Sequence, residues 1–195
     1  MSIWNRYAKV KTISSGGMAC VYIAVDQYTG RGVAIKEILP HLFKNDMVRQ
    51  KFRSEANDYL YLQHPSIIKL ENFIEEGSSW FIIMEYVEGM SLSDFIKSYV
   101  EPIPFANAAL IMEQVCDALY YVHNKGKVHL DIKPSNIMLD TENFSVKVID
   151  FGISMDVRNE VLKSPLGTPN YMSPEQIDAG RILPQTDIFS LGITL

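Results

Sequence analysis

The sequence predicts an α+β chain in two parts, strand-rich at the start and mainly helical afterwards. Three observations predict it. The first 38 residues contain three short apolar stretches joined by tight polar turns. From Asp46 the hydrophobic period lengthens from about two to about 3.6 residues. Residues 105–124 then carry an unbroken apolar stripe, as a long amphipathic helix does.

Residues 7–13 alternate loosely and stop at Ser14-Ser15-Gly16-Gly17. Residues 19–25 follow, with Cys20, Tyr22 and Ala24 on one face and Val21, Ile23 and Val25 on the other. Asp26-Gln27-Tyr28-Thr29-Gly30 is a turn, and residues 33–38 form a third strand. Connections this short make an antiparallel meander, because parallel neighbours need a longer crossover. Over 46–62, Phe52, Ala56, Tyr59 and Leu60 form one apolar stripe, and His64-Pro65 follows the helix end. Residues 67–74 and 80–84 read as two more strands around a polar turn. Residues 84–89 lead into the helical part, with a short helix at 92–99 and the long one at 105–124 burying Leu110, Val115, Leu119 and Val122. Two short strands, 137–139 and 146–149, flank Thr141-Glu142-Asn143. Residues 152–172 show little periodicity and contain Pro165, Gly167 and Pro169, so they form a long loop, a kind that often carries function. A last helix starts at Thr186, with Ile188, Leu191 and Leu195 spaced to seek an apolar partner. No internal repeat is visible.

Hydrophobic residues make up 47% and charged residues 21% of the 195, enough for a core, which excludes disorder as the dominant state. The net charge of −5 speaks against a dedicated nucleic-acid binder. Two cysteines, Cys20 and Cys116, exclude a disulfide scaffold; they read as packing residues of a strand and of a helix core. No stretch approaches the roughly 18 apolar residues of a membrane helix, and residues 1–7 form no signal peptide. The expected location is the cytoplasm, with no membrane segment in this chain.

Three stretches concentrate the chemistry. Ile13-Ser14-Ser15-Gly16-Gly17-Met18-Ala19-Cys20-Val21 is a flexible turn between strands, able to offer backbone N–H groups to phosphates; alone it fits an ordinary hairpin better. Val33-Ala34-Ile35-Lys36 places a lysine in an apolar strand, either snorkelling at a sheet edge or meeting an anion such as Glu55. His129-Leu130-Asp131-Ile132-Lys133-Pro134-Ser135-Asn136 crowds ionisable and polar groups after the long helix, and Asp150-Phe151-Gly152 ends the next apolar strand. Carboxylate and carboxamide oxygens there suit Mg²⁺, which neutralises phosphate. Asp131 suits the acceptance of a hydroxyl proton, and Lys133 the stabilisation of charge on a transferred group. Singly, Asp150-Phe151-Gly152 reads as a turn and His129 as a core histidine; together they are hard to explain that way.

These stretches, with Met84-Glu85-Tyr86-Val87-Glu88-Gly89, Gly167-Thr168-Pro169 and Ser173-Pro174-Glu175-Gln176, resemble the protein-kinase superfamily, most closely the bacterial branch of eukaryotic-type Ser/Thr kinases. The resemblance spans residues 7–195. It implies a two-lobe fold: an N-lobe at 1–84 with a five-stranded antiparallel sheet and one helix, a hinge at 85–89, and a mainly helical C-lobe at 90–195. It implies ATP and Mg²⁺ as cofactors and a protein substrate. Lys36, paired with Glu55, would hold the α- and β-phosphates, under a loop of Ile13, Ser14, Ser15, Gly16, Gly17, Met18 and Ala19. Glu85 and Val87 would present backbone groups to adenine, Met84 would stand behind it, and Val21, Ala34 and Met138 would sandwich the ring. Asp131 would be the catalytic acceptor, and Asn136 and Asp150 the Mg²⁺ ligands. Lys133 and Thr168 mark the Ser/Thr type. A stack of Tyr59, Leu70, His129 and Phe151 would be anchored on Asp187.

Three departures stand out. Ser14 and Ala19 replace two phosphate-loop glycines of the family. Leu130 replaces the arginine that commonly pairs with a phosphorylated loop. The sequence stops at Leu195, inside a helix that the family follows with several more, so it reads as a truncated domain with Glu175 left unpaired or exposed. The alternative class is a pseudokinase that binds nucleotide or docks a partner without catalysis.

Overall fold

Tight turns between β-branched and aromatic stretches fold the start of the chain into an antiparallel sheet. The computed structural model describes residues 2–15, 19–98, 101–151, 154–156 and 161–195, with backbone alone at 14, 15 and 156. The chain divides into two compact units, Met1–Tyr61 with Lys69–Tyr86, and Leu62–Ile68 with Val87–Leu195.

In the first unit β1 (Tyr7–Ser15), β2 (Ala19–Asp26), β3 (Gly32–Ile38), β4 (Leu70–Glu76) and β5 (Ser79–Glu85) form one sheet in the order β1-β2-β3-β5-β4. All neighbours are antiparallel. Helix α1 (Asp46–Tyr61) joins β3 to β4. Opposed residues of an antiparallel pair share a face. Lys36 lies opposite Val21 and Ile82, and Ala34 opposite Ile23 and Met84, so these side chains share one face. The other face holds Ala24, Val33, Ile35, Phe81 and Ile83, packed with Ile3 and Tyr7. The first residues cover that face. Trp4 meets Tyr22 and Phe81 edge-on at 5.6 and 5.8 Å, and the Ile3 N–H donates to Glu76 Oε2 at 2.8 Å. Arg6 pairs with buried Asp26 at 2.8 Å and, as its hydrogen-bond donor, holds that carboxyl below its usual range.

Helix α1 buries Phe52, Glu55, Ala56, Asp58 and Tyr59. Leu60, expected in that stripe, is 58% exposed. The buried line runs i, i+3, i+4, i+7 from Phe52, and Leu60 falls one step beyond it, rotated by about 100°.

The second unit contains β6 (Met90–Ser91), α2 (Leu92–Ser98), α3 (Phe105–Asn124), β7 (Lys127–Val128), β8 (Ile137–Leu139), β9 (Val146–Val148), β10 (Met155–Asp156), α4 (Pro174–Ile177) and α5 (Pro184–Thr194). Strands β6-β8-β9 form a small sheet, and β10 pairs with β7. Helix α3 buries Ile111, Val115, Ala118, Leu119 and Val122. Leu110 and Cys116, both expected inside, are exposed, because the buried stripe starts one residue later than the sequence suggested. The strand expected from residue 67 begins only at Leu70. Ile67 and Ile68 instead join β9: Ile67 bridges Val148, whose carbonyl accepts from the Ile68 N–H at 3.0 Å. No helix among the described residues is long and apolar enough to cross a membrane.

Helix α5 starts two residues earlier than expected, with proline in its first turn, where the missing N–H costs nothing. Of Ile188, Leu191 and Leu195, only Leu191 is buried. The inward face is chiefly polar: Thr186, Asp187, Ser190 and Thr194. These groups find partners within the same unit, Ser190 Oγ donating to the Tyr171 carbonyl at 2.7 Å and Thr194 Oγ1 to the Ser190 carbonyl at 2.9 Å.

Glu175 is not left unpaired. Thr186 Oγ1 donates to its Oε1 at 2.7 Å and accepts from the Leu183 N–H at 3.1 Å. Burial pushes the Glu175 carboxyl up, but hydrogen bonds from Thr186, its own backbone and Ser173 outweigh it, and the net direction is below 4.5. A depressed carboxyl stabilises the fold above its ordinary value, and that stability is lost as pH falls through the folded value. Thr186→Val should therefore cost about 1–3 kcal/mol at neutral pH. In urea unfolding the loss should narrow as pH falls below 4.5, leaving only the Leu183 contribution. A loss equal at both pH values would assign it all to the Leu183 contact.

Candidate active site

In the first unit, strand β3 carries Lys36 into a largely apolar face. Lys36 Nζ lies 2.6 and 2.8 Å from the two Glu55 carboxylate oxygens. The side chains are 19% and 4% exposed, so each charge needs the other. The edge-lysine alternative is thus set aside: β3 is an interior strand and Lys36 is paired. Val21, Ala34 and Met84 share the Lys36 face, Met84 being buried. Ala19 is buried and Ile13 is 52% exposed. The backbones of Ser14 and Ser15 end β1 opposite Val21 and Cys20. Gly16, Gly17 and Met18 fall outside the described residues. The Glu85 N–H donates to the Lys69 carbonyl at 3.0 Å, and its carboxylate accepts from the Lys69 N–H at 2.8 Å.

The other candidate residues lie in the second unit, organised on buried Asp187. Its Oδ2 accepts from the His129 N–H at 2.9 Å and its Oδ1 from the Leu130 N–H at 2.8 Å. His123 Nε2 also lies 2.7 Å from Oδ2. These bonds hold Leu130 at φ +68°, a left-handed conformation that a branched residue adopts only when its surroundings impose it. His129 accepts the Asp131 N–H on Nδ1 at 3.2 Å, which places its ring proton on Nε2, donated to the Ile149 carbonyl at 3.0 Å. Its ring centre is 4.6 Å from that of Phe151. Tyr59 and Leu70, expected in the same stack, lie buried in the first unit.

Asp131 is the hub. Its Oδ1 accepts the Thr168 hydroxyl at 2.6 Å, and its Oδ2 accepts Lys133 Nζ at 2.6 Å and Asn136 Nδ2 at 3.0 Å. Lys133 Nζ also donates to Thr168 Oγ1 at 2.7 Å. A carboxylate so oriented can accept a hydroxyl proton, beside a cation that can stabilise developing negative charge. Asn136 gives its second N–H to the Asp131 carbonyl at 2.9 Å, which turns its amide oxygen away as a hard donor. Its carbonyl accepts the Ile149 N–H at 2.9 Å, bringing Asp150, at φ +65°, close along the chain. Among the described residues no three His, Cys, Asp or Glu side chains form a metal cage. One carboxamide and one carboxylate oxygen fit Mg²⁺, which commonly keeps waters and phosphate oxygens as its other ligands. Met138 is half-buried on β8 opposite Ser91, and Val87 opens this unit's longer segment.

Sequence reasoning missed His123, Thr186 and Gln176. Gln176 had a readable signal, because Ser173-Pro174-Glu175-Gln176 has capping-box spacing, and both reciprocal bonds form. His123 had only its place in the last turn of a helix, where a cation is favoured.

A two-lobe arrangement with this Lys–Glu pair and this Asp–Lys–Thr network is the architecture of phosphotransferases of the protein kinase type. The family model for the protein kinase domain matches residues 7–195, and the chain belongs to that family. It is 39% identical over 99% of its length to serine/threonine-protein kinase PrkC of Bacillus subtilis. It is 34% identical over 98% to serine/threonine-protein kinase PknB of Mycobacterium leprae, and 34% over 98% to probable serine/threonine-protein kinase PknB of Lactococcus lactis. The chain spans 30%, 32% and 31% of the length of these relatives.

Leu130 stands where the resemblance expects arginine, and it is buried with Val128, Leu162 and Ile182 against Met155, Leu166 and Ala179. Leu162 and Leu166 thus meet Leu130 in one apolar cluster, which offers no cation to a loop phosphate. Ser164 is exposed. Ser164→Ala should change the transfer rate by less than about threefold, measured with purified protein and saturating ATP. A hundredfold loss (roughly) restored by Ser164→Glu would identify another cation serving a loop phosphate.

Proposed function

We propose that the chain transfers the terminal phosphoryl group of ATP to serine or threonine hydroxyls of protein substrates, in the cytoplasm. The observation that carries this reading is Asp131 accepting both the Thr168 hydroxyl and the Lys133 ammonium, at 2.6 Å each. Asp131 accepts the proton of the substrate hydroxyl and aims its oxygen, and Lys133 stabilises charge on the transferred group. Lys36, oriented by Glu55, binds the α- and β-phosphates, with residues 13–19 folding over them. Backbone groups of Glu85 and Val87 bind adenine, beside Met84, with Val21, Ala34 and Met138 against the ring. Asn136 and Asp150 hold Mg²⁺, which when bound neutralises phosphate charge.

Names of the relatives support the chemistry, since each is called a serine/threonine-protein kinase. The test is transfer of label from γ-labelled ATP to a generic basic protein, with Mg²⁺ present and with it chelated. Label on the protein, abolished by chelation, is expected. Tight nucleotide binding with no transfer would contradict the proposal and favour the pseudokinase class.

A further inference from the structure

Gln176 is fully buried, yet it belongs neither to the nucleotide groups nor to the Asp131 network. Its Nε2 donates one hydrogen to the Leu130 carbonyl at 2.8 Å and the other to the Leu166 carbonyl at 2.7 Å. Its Oε1 accepts the Ser173 N–H at 3.1 Å. The amide orientation is fixed by this network, because a flipped amide would set its oxygen against two carbonyl oxygens. One side chain thus ties together three segments that are distant in sequence or serve different purposes. Leu130 immediately precedes Asp131, Leu166 stands two residues before Thr168, and Ser173 caps α4.

The two bridged segments also approach as closely as a backbone without Cβ allows. Gly167, at φ +131°, lies between Leu166 and Thr168. A Cβ there would sit 2.8 Å from Gln176 Nε2 and 2.9 Å from the Leu130 carbonyl oxygen. Directly beyond this contact, Thr168 reaches Asp131. Without the amide, two inward carbonyls would lose their shared donor, and each unmet buried group carries a penalty large enough to move a loop.

We infer that Gln176 is a positioning residue for the protein acceptor, clamping the segment of Thr168 onto that of Asp131. The inference rests on the phosphotransfer reading proposed above. Its action is indirect: it sets where the Thr168–Asp131–Lys133 network stands, and so where a substrate hydroxyl must lie to meet Asp131. A displacement of the order of 1 Å in such a network can cost up to about a hundredfold in rate.

The test uses Gln176→Met, which keeps length and removes both donors, and Gly167→Ala, which keeps Gln176 and forces the same contact apart. Both are made in the full chain. For each, kcat and KM toward a generic protein acceptor, the affinity for Mg-ATP, and hydrogen exchange at the Leu162 and Tyr171 amides are measured. Neither amide bonds to Gln176, so faster exchange there reports release of the loop rather than loss of the bond itself. We expect kcat/KM for the protein to fall at least about tenfold, Mg-ATP affinity to stay within about twofold, and exchange at both amides to speed up. Unchanged kcat/KM and exchange would overturn the inference. So would a parallel fall in Mg-ATP affinity, which marks general destabilisation. Should the unaltered chain transfer no phosphate, the functional proposal fails, and the exchange measurement still decides whether Gln176 holds the loop.

Discussion

Asp131→Asn is expected to slow phosphate transfer to protein about 10²- to 10⁴-fold while leaving Mg-ATP affinity within about twofold. The substitution keeps the shape of the side chain and removes its basicity. One of its two positions becomes an NH₂ facing either the Thr168 hydroxyl or the Lys133 ammonium, which stand 2.6 Å away. A group that acts on the acceptor in the transition state changes kcat more than ground-state nucleotide binding. Rates at saturating ATP, paired with calorimetric titration of Mg-ATP, check it. Undiminished transfer would remove Asp131 from the chemistry.

Lys36→Ala and Asp150→Ala should each weaken Mg-ATP binding at least about tenfold, or roughly 1.4 kcal/mol. For Lys36 two effects act in the same direction. A phosphate contact is lost, and Glu55, 4% exposed, is left without the ammonium 2.6 Å away. The Glu55 carboxylate, no longer offset by that ammonium, then repels the phosphates. Glu55→Gln in the Lys36→Ala background should recover part of the affinity, which separates the two effects. Equal affinities for the unaltered chain and both alanine variants, by calorimetry, would sink the nucleotide assignment.

How legible the site was depended on how local its causes were. The strands were readable because alternation and short turns act over a few residues. The faces of Val21, Ala34 and Lys36 follow from the period of two once the register is known. The Lys36–Glu55 pair came from the family resemblance and not from local pattern, since it joins positions 19 residues apart and depends on where α1 lands. Helix phases failed for a similar reason. Leu60, Leu110 and Cys116 sit at the margins of their stripes, and the neighbouring element chooses which margin is buried. On α5 the error ran deeper, because hydrophobic spacing was read where the inward face is polar and satisfied by Asp187, Ser190 and Thr186. Buried polar faces leave no hydrophobic period for sequence reading to find. Glu175 illustrates the same point: its partner Thr186 is eleven residues away and lies across a turn.

If the Asp131–Lys133–Thr168 network serves a serine or threonine hydroxyl, the transferred phosphate must end on those residue types. This is tested most directly by acid hydrolysis of a protein labelled from γ-labelled ATP, followed by separation of the phosphoamino acids. Label is expected in phosphoserine and phosphothreonine, with none above background in phosphotyrosine. Label confined to phosphotyrosine, or no label on protein when nucleotide binds tightly, would contradict that expectation.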